Sequence, residues 1–296
     1  MTTDSESAAL PPLAPPAANA GLREVFRRRY LLGMIVHNTM QSRYQGTFLG
    51  WTWSYLQPFV RFCMFYFVFQ VAINRGGDET PNFAIHMAAG MVVVHFFTET
   101  FNGGTASLVR NRRLIAKLAV PKELFPMARV LVAAWHSAPM LVIVTIACVL
   151  TGWVPDLGGL AAFLLGTALI TALGVALALL FSVANVYFRD FGKVVQTLSQ
   201  FVTFSVPMIY PYTMVRDRFG EMGSHIYLLN PVAETVLLFQ RAFWVGTTDD
   251  PEYFTEHHLP PDLFERGLIM LVIMLVLVWV SQRVFTRLER GVPERL

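Results

Sequence analysis

The stretch "IYLLNPVAETVLLFQRAFWV" (residues 226–245) decides how many times this chain crosses a bilayer. A transmembrane helix needs about 20 consecutive apolar residues, and this run has the length. Pro231, Glu234 and Arg241 interrupt it, so its apolar character is broken three times. Counted as a span it makes seven crossings and puts the two termini on opposite sides; otherwise there are six.

The rest of the chain supplies the context. Of 296 residues, 54% are hydrophobic and 15% charged. Globular domains carry about 25% charged residues, so the composition is that of an integral membrane protein. Apolar runs at 51–73, 83–101, 130–150, 160–187, 194–212 and 268–282 read as spans. The fold class expected is all-α. Cys63 and Cys148 fall inside apolar runs and do not read as a disulfide framework. Residues 1–20, rich in Pro, Ala and Ser and without a basic residue, read as a disordered tail rather than a secretory signal.

Charge placement settles the parity. With six spans and a cytoplasmic N-terminus, seventeen of the 23 basic residues fall inside. They cluster at 23–43, 110–129, 189–193 and after residue 280. Seven spans would put the basic C-terminus outside, against the positive-inside tendency. Residues 226–245 are therefore expected to enter from the outer face and return. Backbone that turns at membrane depth needs protein or a water-filled cavity around it, which suits a pore or gate.

No phosphate-binding loop or dinucleotide fingerprint occurs, and no metal-ligand spacing. Gly103–Gly104 reads as a helix terminus. "EHHLPP" (residues 256–261) reads as an exposed loop rather than a ligand set. No metal site and no catalytic residue is assigned.

Two features lie within the first spans. Arg61 and Glu99 sit at similar depths on two antiparallel spans, and charges in hydrocarbon usually pair or face a cavity, so an Arg61–Glu99 contact is expected. His95 lies one turn before Glu99. Tyr55, Phe59, Phe62, Tyr66 and Phe69 recur at spacings that place them on one helical face. That face is either a packing or lipid-facing surface or a stacking platform for sugar rings, which Phe201 and Phe204 could extend.

"TMQSRYQGTFLGWTWSYLQPFVRFCMFYFVF" (residues 39–69) resembles the N-terminal signature of type-2 ABC transporter permeases that export polysaccharides such as O-antigen and teichoic acid. "NRRLIAKLAVPKELFPMARV" (residues 111–130) resembles that family's N-x-x-L-I-x-K-x-x-x-P-x-E-x-x-P segment, at Asn111, Leu114, Ile115, Lys117, Pro121, Glu123 and Pro126. "VYFRDFGKVVQTLSQFVTFSVPMIYP" (residues 186–211) and "LLNPVAETVLLFQRAF" are similar to the two blocks that follow in the family. Val206-Pro207-Met208 departs from the commoner Ser-Pro-Ile, and the C-terminus "FTRLERGVPERL" matches only loosely.

The resemblance implies a single transmembrane domain over residues 21–296, with residues 107–126 as a cytoplasmic coupling segment that docks on an ATPase. Lys122 belongs to the docking set with the matched residues. Pro121 and Pro126 stop a helix and reset its direction, as a docking segment between two spans requires. The rival reading, anchoring of basic residues to anionic headgroups, accounts for the charge but not for Pro121, Glu123 and Pro126 together. Residues 22–45 read as an amphipathic interface helix whose Arg27, Arg28 and Arg29 suit headgroups or a diphosphate. Residues 226–245 become external gate helices, with Asn230 and Pro231 forming a helix start and Glu234 and Arg241 within the gate. The implied assembly is a homodimer with two copies of a cytoplasmic ATPase that binds the ATP and Mg. It would move a polyprenyl-diphosphate-linked glycan across the bacterial cytoplasmic membrane, both termini lying inside. Membrane lipids are partners; nucleic acid is not. A type-2 permease for a drug or small lipid, or a membrane enzyme acting on lipid-linked sugars, are the alternatives.

Overall fold

The computed structural model describes residues 21–44, 46, 48, 50–72, 80–117 and 120–295, without the side chains of Arg43, Tyr44, Trp51, Phe69, Gln70, Ala72, Pro293 and Glu294. The expected tail over residues 1–20 lies outside them. The described residues form helices and no strand. The N-terminal stretch is two helices, α1 (Leu22–Arg27) and α2 (Arg29–Tyr44). Next come α3 (Trp53–Tyr66), continued by a π-helical stretch (Phe67–Ala72), and α4 (Phe83–Arg110). A short α5 (Arg112–Lys117) precedes α6 (Leu124–Leu150) and α7 (Leu157–Tyr187). The last third holds α8 (Phe191–Phe204), α9 (Tyr212–Tyr227), α10 (Pro231–Phe243), α11 (Pro251–His258), α12 (Leu263–Leu288) and α13 (Val292–Arg295).

Among the described residues, four helices are long and apolar enough to cross a membrane: α4, α6, α7, and α12 with its extension to Gly291. They make the core of the bundle. Small residues let α4 and α7 approach closely, as lipid-embedded helices need when no hydrophobic effect drives them together. At Gly104 an added Cβ would lie 2.5 Å from the Cβ of Ala178. Gly103–Gly104 thus sits inside α4 and does not end it, contrary to the sequence reading. The pair is needed for contact with neighbouring helices, not for a turn.

Helix ends follow local chemistry. Asp156 caps α7 by accepting the Gly159 amide. Asn230 accepts the Val232 amide and Pro231 opens α10, so the helix start read from the sequence is where the chain forms one. The expected run 194–212 is helical only as far as Phe204. Pro207 lacks an amide and would clash with the preceding turn, so the chain leaves the helix over 205–211. Its free carbonyl is not left bare: Gln240 Nε2 donates to Pro207 O at 2.6 Å.

Contacts between helix ends define two poles. At the first, Trp244 Nε1 donates to Pro81 O and Asn82 Nδ2 to Thr247 O, while the Val154 amide donates to Gly246 O. The start of α4, the α6–α7 turn and the end of α10 therefore meet there. At the second, Lys122 Nζ donates to Glu289 O and Tyr187 OH to Leu288 O, joining the start of α6 with the ends of α7 and α12. It follows that α7 and α12 run parallel and α10 runs antiparallel to α7. The second pole collects Arg110, Arg112, Arg113, Lys117, Arg189, Lys193 and Arg283; the first collects Asp156, Asp249, Asp250, Glu252 and Asp262.

Candidate translocation face and coupling segment

α3 and α8 meet through Phe65 and Phe204 and border one cavity. Tyr55 and Phe59 are exposed, and so are Phe201 and Phe204. Phe62 and Tyr66 are half-buried against the core and stack with centroids 5.9 Å apart. The five-residue stripe is therefore split: its first part is open and its middle is packed, while the side chain of Phe69 lies outside the described residues. Sequence reading passed over Phe65, which is buried and meets Phe204 edge-on at 6.3 Å, docking α3 on α8. The exposed rings there are accompanied by charge, since Arg61 of α3 and Lys193 of α8 are exposed as well.

A cavity between α3, α4, α6 and α8 is lined by Arg61, His95, Met140, Thr203 and Met208. Beside it, Glu99 contacts His136 Nδ1 at 2.8 Å and His95 Nε2 at 3.4 Å. Glu99 and His95 thus belong to a polar cluster drawn from two helices, α4 and α6, with Arg61 on the cavity wall facing His95. His136 was not among the residues singled out from the sequence. Its partner lies 37 residues away on another helix, and no spacing rule reports that.

At the first pole Arg241 grips Asp156 with Nη1 and Nη2, at 3.1 and 2.5 Å. That hydrogen-bonded guanidinium holds the Asp156 carboxyl below the usual carboxylate range, against the opposing effect of partial burial. Glu234, one turn into α10, is 0% exposed. Nearby Arg266 meets His225 Nδ1 at 2.6 Å and Asp262 at 3.6 Å, tying α9 to the start of α12. α9 itself is bent at Gly220, whose φ of +67° is a conformation that favours glycine.

The segment between α4 and α6 has two unlike halves. Asn111 closes α4, its side chain donating to Ser107 O at 2.8 Å. On α5, Leu114 and Lys117 are exposed and Ile115 is buried. The second half faces inward: Pro121 and Pro126 are buried and Glu123 is 2% exposed. Gln282 Nε2 donates to Glu123 Oε1 at 3.3 Å, and Lys122 is engaged by the Glu289 carbonyl at 2.6 Å. In the N-terminal helices Arg27 and Arg29 are exposed beside exposed Phe26 and Tyr30, whereas Arg28 pairs with Glu24 at 2.6 Å.

Comparison with known proteins bears on the whole arrangement. The O-antigen export system permease protein of Myxococcus xanthus is 25% identical over 266 residues, covering 89% of this chain and 94% of the relative. Two O-antigen export system permease proteins of Klebsiella pneumoniae are 23% and 22% identical, each over 83% of this chain and about nine-tenths of their own length. Residues 30–244 match the model of the ABC-2 type transporter, a stretch that runs from α2 through α10 and takes in the aromatic face, the segment between α4 and α6 and the Arg241–Asp156 contact. The chain belongs to the ABC-2 type transporter family.

Proposed function

We propose that this chain is the membrane permease subunit of an ATP-driven exporter that moves a lipid-linked polysaccharide, of the O-antigen class, outward across the bacterial cytoplasmic membrane. The observation that carries this reading is the match to three O-antigen export permeases along more than four-fifths of the chain. It is a transport subunit and not an enzyme. Chemical work falls to a separate ATPase, which holds the ATP and Mg.

Within that reading the six-span topology is retained. α3 with its π-helical continuation and α8 add two spans to α4, α6, α7 and α12. α9 and α10 form a gate that dips into the bundle and returns; the antiparallel run of α10 against α7, ending at Asp156, supports this. The uncovered α3–α8 face, with Tyr55, Phe59, Phe201 and Phe204, supports a homodimer in which two such faces enclose the path of the glycan. Phe62 and Tyr66 back that face from the core side. The exposed Leu114 and Lys117 of α5 present a docking surface to one of two ATPase copies. Arg27 and Arg29 hold the N-terminal helices at anionic headgroups, where the diphosphate of a polyprenyl carrier would also find charge. Both termini then lie on the cytoplasmic side.

The test is transport by the permease–ATPase complex in reconstituted vesicles supplied with lipid-linked glycan. Tyr55→Ala, Phe59→Ala and Phe201→Ala combined should lower glycan export while leaving the ATPase bound. Full export by that triple variant would remove the stacking role of the face. No export by the unaltered complex would remove the permease reading.

A further inference from the structure

The stretch from Gln282 to Arg295 lies beyond the matched region 30–244 and carries four basic residues. The structure gives it another character. Phe285 and Val292 are fully buried. Gly291 approaches Tyr187 so closely that an added Cβ would stand 2.6 Å from its hydroxyl oxygen. Tyr187 OH donates to Leu288 O at 3.0 Å, and the Arg295 guanidinium lies 4.7 Å from the centre of the Tyr187 ring. On its other side the stretch holds the coupling segment: Lys122 Nζ on Glu289 O at 2.6 Å, and Gln282 Nε2 shared between Glu123 at 3.3 Å and Thr286 at 3.1 Å.

These contacts have a physical logic. Glu123 and Glu289 are both buried, and two buried carboxylates repel unless a cation is close. Lys122 is a cation near them, and its ammonium is held by the Glu289 backbone carbonyl. A force on α5 reaches the membrane through α4, which ends just before it, and through residues 120–126, whose inner face rests on the end of α12 as well as on α6. α12 is a stiff rod. At its far end Gly267 packs against Leu165 of α7 and Leu238 of α10. Coupling between distant sites travels through such packed side chains and rigid elements.

We propose that Gln282–Arg295 is a transmission joint. It clasps Lys122 and Glu123 of the coupling segment on one side and Tyr187 at the end of α7 on the other, and delivers movement of the segment along α12 to α10. This rests on the permease reading. Lys122, Glu123, Gln282 and Tyr187 are positioning residues of the joint, and the outer face of α5 is what remains for the ATPase.

The experiment uses the full permease–ATPase complex in vesicles with lipid-linked glycan, and reads ATPase retention, ATP hydrolysis and glycan moved per ATP. Gln282→Met and Tyr187→Phe each delete a polar contact and keep the volume. Both should retain the ATPase and hydrolyse ATP at the unaltered rate, while glycan moved per ATP falls about fivefold, the factor a single net hydrogen bond supplies. Lys117→Glu is the contrast and should lose the ATPase. A loss of ATPase from the joint variants equal to that of Lys117→Glu would overturn the proposal, since the joint would then be a docking face. An unchanged yield per ATP in the Gln282→Met/Tyr187→Phe double variant would overturn it too. Should that chain fail to accumulate, Arg295→Gln, which removes only the guanidinium over the Tyr187 ring, should lower the yield in the same direction. An unaltered complex that neither keeps its ATPase nor moves glycan would bring down the permease reading and the joint with it, whereas a failure of the joint alone leaves that transport intact.

Discussion

Arg241 shows how much one residue of the chain can be asked to do. Its two contacts to Asp156 tie the end of α10 to the first turn of α7. The carboxyl is held below its ordinary range in the folded protein, so the contribution of the pair is fully present above the unfolded value of about 3.9 and disappears as pH falls through the folded one. The Asp156 side chain is 47% exposed, and solvent screening limits the pair to at most about 1 kcal/mol. Arg241→Met should therefore lower the unfolding midpoint in detergent by about 2 °C at neutral pH, and the difference should close in acid below the carboxylate range. A gap that stays constant with pH would assign the loss to packing of the arginine stem instead. The same scale marks where sequence reading stops. Arg241 stands out as a charge in an apolar run, but its partner Asp156 comes from the start of another helix. Counting depth along two spans points from Glu99 to Arg61, whereas the neighbour at 2.8 Å, His136, sits on a third helix whose rotation no count supplies. Lys122 and Glu123 read as docking charges, and no spacing rule reports that the end of α12, about 160 residues later, holds the half-buried Lys122 and the buried Glu123.

Helices are a coarser unit, and here the sequence is a better guide. Long apolar runs locate α4, α6, α7 and α12, because only a helix satisfies its own backbone in hydrocarbon. Their limits are less legible. α4 continues to Arg110, beyond the apolar run, because Asn102 donates to Ser199 of α8 and Gly104 packs on α7, and both contacts reward a helix that polarity alone would end. α8 stops early because of Pro207, a signal that was present in the sequence and outweighed there by the surrounding apolar residues. Two glycines test this account in opposite directions. At Gly104 a Cβ would meet the Cβ and Cα of Ala178 at 2.5 and 2.8 Å, atoms that cannot rotate aside. Gly104→Ala should push α4 and α7 apart and cost about 1–3 kcal/mol. Gly33 sits mid-helix in α2 with nothing within 4 Å of the Cβ position. Gly33→Ala should gain up to about 1 kcal/mol from helix propensity alone. Unfolding midpoints of the two purified variants should move in opposite senses. A neutral Gly104→Ala would mean that α4 and α7 are not in such close contact.

At the scale of the molecule, what was most legible was polarity along the bundle, and what was least legible was how α8 to α11 regain the starting pole. Positive charge gathers where α4, α7 and α12 end, acid where α4, α7 and α12 begin, and the two poles follow from hydrogen bonds that owe nothing to charge counting. The hydrogen bonds fix which helix ends share a pole; the proposal that the basic pole is the cytoplasmic one rests on charge alone, since basic residues flanking spans favour that face. The remaining question is where α11 and the residues around it stand. α11 touches α9 through Arg216, whose Nη1 donates to His257 O at 3.1 Å, and lies at the acidic pole with Trp244 against Phe254. If α9 and α10 dip and return, α11 faces the outside; if they crossed, everything after them would change sides. Cysteine labelling in intact cells separates the two. On a background with Cys63 and Cys148 replaced, Thr255→Cys should react with a membrane-impermeant thiol reagent, and Arg113→Cys and Arg287→Cys should react only after the membrane is opened. Protection of Thr255→Cys together with labelling of Arg287→Cys would place α12 the other way round, turn α10 into a crossing helix, and leave the gate without a structural basis.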